Sequence, residues 1–125
     1  MNDILNDELN AEFVANERQY RGEKIAPYTE GSRLLMLQVR EENDSPIYFV
    51  WAFLFLHIQI AKNRKDAIRL AWDRDLFREK LISWIENKNE TDRIDATNIV
   101  SAIIDESTKG VAESVERIST KQGNA

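Results

Sequence analysis

Polar residues nearly vanish between Ser45 and Ala61. From Ile47 to Ala61 only Tyr48, His57 and Gln59 carry a polar side-chain atom. On a helical wheel three strips are apolar together: Ile47, Trp51, Leu54 and Ile58; Tyr48, Ala52 and Phe55; Phe49, Phe53, Leu56 and Ile60. A helix of this kind has to be surrounded, by protein or by lipid. At ~1.5 Å per residue the run reaches roughly 22 Å, short of the ~30 Å hydrocarbon core of a bilayer. Protein is therefore the expected surrounding. Ser45 suits an N-cap and Pro46 a first helical position. The stretch 45–61 is read as the central helix of an all-α, compact bundle of about five or six short helices.

The remaining pattern supplies the covering elements. In 3–14, Ile4, Leu5, Leu9, Phe13 and Val14 recur at helical spacing, which predicts a short first helix. The segment 17–26 has two readings: Gly22 ends a helix, or it closes a short β-hairpin. Pro27 pushes Ala26 towards extended geometry and tilts the choice to the hairpin. Thr29 or Ser32 then caps a helix through about Glu42, with Leu34, Leu35, Leu37 and Val39 as its apolar content. Asn63 with Asp66 opens a short helix carrying Ile68, Ala71 and Trp72. Asp73 or Arg74-Asp75 restarts the chain into Leu76, Phe77, Leu81, Trp84 and Ile85. Thr91 or Asp92 is expected to begin the last helix, striped by Ile94, Ile99, Val100, Ile103, Ile104, Val111, Val115 and Ile118. Gly110 lies within it and costs ~1 kcal/mol against alanine in a helix interior, so a split there is left open. Residues 1–120 read as a single helical domain and 121–125 as a disordered tail.

Composition narrows the class. The chain of 125 residues is 42% hydrophobic and 31% charged, the balance of a globular domain rather than a disordered one. With only four glycines and two prolines it has few places to break a helix. Cysteine is absent, which removes disulfides and thiolate chemistry. The first residues are acidic and lack the basic start and apolar run of a secretory signal, so a cytoplasmic location is expected. A net charge of -5 opposes general polyanion binding.

No catalytic pattern emerges. His57 is the only histidine, and Phe53, Leu54, Ile60 and Ala61 occupy the positions from which a helical partner ligand would come. It reads as a hydrogen-bonded core residue. G-x-S-x-G, G-x-x-x-x-G-K-[ST] and G-x-G-x-x-G are all missing. Glu41-Glu42, Asp73/Asp75 and Asp105-Glu106 read as caps and solvated faces. The expectation is a protein that is not an enzyme and takes no cofactor and no metal. The segment 62–69, with Lys62, Arg64, Lys65 and Arg69, is the best nucleic-acid candidate, and a small regulatory DNA-binding protein is the alternative reading; Asp66 interrupts it. Trp51 belongs to the core. Trp72 and Trp84 sit at the borders of amphipathic segments, where core packing is favoured over partner contact. With Phe77, Tyr48 and Phe55 they form the set of partner-binding candidates. The apolar excess of the central helix also favours a homo-oligomer.

The run GEKIAPYTxGSRLLxLQ over 22–38, the Asp44-Ser45-Pro46 turn, the aromatic helix, Trp72-Asp73 and the Phe77 to Trp84 spacing together resemble small bacteriophage and prophage proteins. These are encoded among structural genes, and some are tail assembly chaperones. The similarity covers roughly Asn16 to Asp105. It implies a helical protein that self-associates and coats helical segments of a tape-measure protein, or another tail protein, until the tail tube forms around it. No residue role carries over from the resemblance.

Overall fold

The computed structural model describes residues 18–41 and 43–123. In chain order these form strands β1 (Arg18–Tyr20) and β2 (Glu23–Ile25), then helices α1 (Glu30–Val39), α2 (Pro46–Lys62), α3 (Arg64–Trp72), α4 (Arg74–Ile85) and α5 (Glu90–Gly123). The expected helix over 3–14 lies outside the described residues. Among the described residues the fold is the expected all-α bundle around a central hydrophobic helix, with the hairpin as its one departure from helix.

α2 begins as its sequence dictates. Ser45 Oγ accepts the Tyr48 amide at 3.1 Å, and Pro46 occupies the first turn. Every residue from Trp51 to Ile58 is buried, and Ile60 follows. At about 3.6 residues per turn that run closes more than two full turns, so no face of α2 meets solvent there. β2, α1, α3, α4 and α5 all pack against it.

The hairpin is antiparallel, pairing Arg18 with Ile25 and Tyr20 with Glu23. Its two-residue loop has φ of 52° at Arg21 and 84° at Gly22, the left-handed pair that matches strand twist. Gly22 takes that geometry freely, whereas Arg21 pays roughly 1 kcal/mol for it. Its guanidinium reaches Asp92 at 2.8 Å and Asp95 at 2.6 Å on α5, which holds the turn in place. Tyr20 and Ile25 face inward. Tyr20 packs edge-on to Trp51 and Trp84 and donates its hydroxyl to the Asp92 carbonyl at 3.1 Å. The Ala26 amide donates to the His57 carbonyl at 3.0 Å, joining the hairpin exit to α2.

α1 starts with a reciprocal cap: the Thr29 amide donates to Ser32 Oγ, and the Ser32 amide to Thr29 Oγ1. It stops at Val39, short of the expected Glu42. Its inward face is Ser32, Met36 and Val39, spaced at helical intervals. Leu34 and Leu37, part of the apolar content expected of this helix, are 60% and 57% exposed. The reason is angular: a ten-residue helix laid on one side of a bundle buries one stripe, and they belong to another.

The later boundaries are set by side-chain caps. Asn63 Oδ1 accepts the Asp66 amide at 3.1 Å and Asp73 Oδ1 the Leu76 amide at 3.2 Å. α5 starts at Glu90, one residue before the expected Thr91, because Asn89 and Asp92 exchange amide-to-side-chain hydrogen bonds at 3.0 Å. Its buried stripe is Ala96, Val100 and Ile103, while Ile94 is half-exposed. The helix passes Gly110 without a break and reaches Gly123. Among the described residues, no helix is long and apolar enough to cross a membrane.

Two leucines on the same chain provide a direct check of this packing. Leu54→Ala empties a fully buried site and is expected to cost about 2–5 kcal/mol. Leu34→Ala removes an exposed side chain and is expected to change stability by less than about 0.5 kcal/mol. Urea unfolding of both variants measures the difference, and equal losses would contradict the burial described here.

Candidate interaction surface

The five partner-binding candidates have separate fates. Phe55 and Phe77 are core side chains, packed edge-on at 5.4 Å between ring centres, and this corrects their expected place at a surface. Trp84 is half-buried against Tyr20, Trp51 and Phe55. Its Nε1 donates to Glu23 Oε1 at 3.1 Å, and Lys88 lies 4.5 Å over its ring. Tyr48 is half-buried as well, with its hydroxyl donating to the Val39 carbonyl at 2.9 Å. Trp72 alone of the five stands out from the molecule, 67% exposed.

Trp72 has apolar neighbours that sequence reasoning placed elsewhere. Ile68 precedes it by one helical turn on α3 and is also exposed. α1 packs along α3, and Arg74 Nε, just beyond Trp72, donates to the Gln38 carbonyl at 3.0 Å. That bond joins the carboxyl end of α1 to the residue just after α3, and Leu34 and Leu37 lie exposed one helical turn apart on α1. The signal available in the sequence was the conflict within α1, where Met36 and Val39 mark one apolar stripe and Leu34 and Leu37 another. A helix this short, packed on one side, leaves one of the two outside.

Polar contacts hold this surface in place. The last carbonyls of a helix have no partner within it; in α1 those of Gln38 and Val39 are taken by Arg74 Nε and the Tyr48 hydroxyl. Arg78 donates to both Asp44 carboxylate oxygens at 2.7 and 2.9 Å and lies 4.2 Å over the Tyr48 ring. Asp44 also accepts the Glu41 amide at 2.6 Å. Burial pulls the Asp44 carboxyl upward, but the Arg78 and Glu41 hydrogen bonds outweigh it and leave Asp44 below its ordinary range. α4 is thus clamped to the loop between α1 and α2.

The basic segment 62–69 is not an unbroken cationic face. Lys62 Nζ donates to Glu23 Oε2 at 2.9 Å, and Asp66 sits in the first turn of α3. Glu23 thereby ties the end of α2 to Trp84. Among the described residues, no group of three or more His, Cys, Asp or Glu is placed to hold a metal ion. No family model, no curated protein and no solved structure matches the chain.

His57 is fully buried, stacked on Phe53 at 4.1 Å and edge-on to Tyr28. Its Nδ1 lies 2.7 Å from the Phe53 carbonyl, the geometry of an Nδ1–H donor, and Nε2 has no hydrogen-bond partner. Burial lowers its pKa, against a smaller upward pull from the Phe53 carbonyl. The native state therefore holds His57 neutral while the unfolded chain takes up a proton below about pH 6.5. A depressed native pKa contributes stability that is complete above the unfolded value and lost as pH falls through that window. Stability is expected to drop between pH 7 and 5 with a slope of at most about 1.4 kcal/mol per pH unit from this group. His57→Gln should remove that part of the slope. Urea midpoints across the range test it, and an unchanged slope in the variant would assign the effect to other groups.

Proposed function

We propose that this chain is a non-enzymatic helix-binding protein of a phage or prophage structural gene cluster, a tail assembly chaperone acting in the bacterial host cytoplasm. It would hold amphipathic segments of a tape-measure protein in a soluble state and associate with itself. The observation that carries the reading is the exposure of Trp72 and Ile68 on α3 and of Leu34 and Leu37 on α1, two helices that pack against each other. An amphipathic helix is recognised by such a surface through anchors at i, i+3, i+4 and i+7. Tryptophan is enriched among the side chains that dominate binding energy. The Arg74, Tyr48 and Arg78 contacts around α1 support the same reading, because a surface fixed in advance loses less entropy on binding. The net charge of -5 favours solubility of a chaperone carrying an apolar client. The resemblance to phage proteins, which includes the 22–38 run, is the reason a tape-measure segment is named as the client.

Co-expression with the tape-measure gene of the same cluster tests the proposal. The tape-measure product is expected in the soluble fraction only when this protein is present. Trp72→Ala should keep the fold, since the side chain is largely outside the core, and weaken capture by about tenfold or more. A tape-measure product equally soluble with and without this protein would end the chaperone reading.

A further inference from the structure

α3 differs in charge from the molecule that carries it. The chain has a net charge of -5, yet this helix holds Arg64, Lys65 and Arg69 against the single carboxylate of Asp66. All three cations are exposed. Lys62 nearby is taken by Glu23, whereas among the described residues Arg64, Lys65 and Arg69 stand in no ion pair. Helix geometry sets these charges around the apolar strip. At roughly 100° per residue, Ile68 and Trp72 lie about 40° apart on the outer side of α3, with buried Ala67 and Ala71 on the inner side. Lys65 and Arg69 follow within about 60° of Trp72 on one edge, and Arg64 lies about 40° beyond Ile68 on the other. Asp66 falls further round, past Arg69.

A partner that covers Trp72 and Ile68 must also approach these cations. A neutral or basic partner would strip water from them and return nothing. Carboxylates at the same two edges would replace that water. We infer that the segment bound at Trp72 is an amphipathic helix whose apolar stripe is bordered by aspartate and glutamate. Its stripe meets Trp72 and Ile68, and its acids meet Lys65 and Arg69 on one side and Arg64 on the other. This rests on the helix-binding reading above and adds the charge of the client. Charged pairs at such a rim act on association rate and on the rejection of wrong partners, and salt weakens them. A nucleic acid would satisfy the cations but offers no apolar stripe to Ile68, and the net charge of -5 opposes it.

Two fluorescein-labelled model helices with the same leucine and phenylalanine stripe, one bordered by glutamate and one by lysine, test this by anisotropy on the full-length protein. The overall charge of -5 favours the lysine peptide, so a preference for the glutamate peptide reports the local surface. The glutamate peptide is expected to bind about tenfold more tightly at low salt, and less so as salt rises. Lys65→Glu with Arg69→Glu should reverse the preference, and Lys65→Gln with Arg69→Gln should remove it. Both positions are exposed, so urea midpoints are expected to stay near that of the parent chain. Equal binding of the two peptides, weakened alike by Trp72→Ala, would overturn the acidic client and leave helix binding at Trp72 standing. A glutamate preference that survives the charge reversal would overturn it as well. So would a single-stranded oligonucleotide that binds more tightly than the glutamate peptide and is lost with Lys65→Glu and Arg69→Glu, which would make the occupant a nucleic acid.

Discussion

A helix with no polar face sets the terms for every other element. Burial of each large apolar side chain of α2 favours the folded state by roughly 1.5–3 kcal/mol, and the buried run from Trp51 to Ile58 leaves none of its sides available to water. The neighbours must therefore approach from all directions within a short chain. They do so with a mixture of large and small residues. α4 contributes Phe77 and Leu81 and the hairpin Tyr20 and Ile25, while α3 contributes Ala67 and Ala71 and α5 contributes Ala96. Alanine lets a helix backbone come close, and the bulk of Phe53, Leu54 and Phe55 fills the space from the inside. The hairpin fits this requirement as a cover too: three residues per strand are marginal alone, and Tyr20 gains its place from Trp51 and Trp84.

Polar groups do different work, fixing where each cover begins and ends. Thr29, Ser45, Asn63 and Asp73 each accept a first-turn amide, and Asn89 exchanges bonds with Asp92. Each cap of this kind contributes about 1 kcal/mol, and together they hold the chain to sharp reversals around α2. Longer-range polar contacts then couple the pieces. Glu23 joins β2 to Trp84 and Lys62, and Arg78 joins α4 to Asp44 and Tyr48. Burial raises the Glu23 carboxyl, but its two hydrogen bonds prevail and hold it below the ordinary range.

What could be read from the chain divides along the same line. The central helix, its Ser45-Pro46 start, the Thr29 and Asn63 caps and the inward place of His57 follow from neighbours within a turn or two in sequence. The fate of an apolar residue on a covering helix does not. Leu34 and Met36 are equally suited to a core, and contact with α3 and α2 decides between them. Trp72 and Trp84 sit in similar local settings, yet Trp84 is engaged by Tyr20 and Glu23, some sixty residues earlier. Phe77 and Phe55 looked eligible for a partner only because the distance between α2 and α4 is not written in either segment. At Gly22 the sequence only tilts the choice towards the hairpin for the same reason, since Tyr20 gains its place from Trp51 and Trp84.

Single exposed apolar residues are ordinary on any protein surface, and Ile82 or Ile47 requires no further account. Trp72 differs because its surroundings are shared. Ile68 stands one turn away, and α1, whose carboxyl end is tied by Arg74 and Tyr48, leaves Leu37 and Leu34 exposed. Rotating α1 to hide those leucines would expose Met36 and Val39 and break the Val39 carbonyl's bond to Tyr48. Hiding Trp72 would require turning α3, which would lift Ala67 and Ala71 off the bundle. The constraint that encloses α2 thus also keeps the described helices from covering this outer stripe themselves.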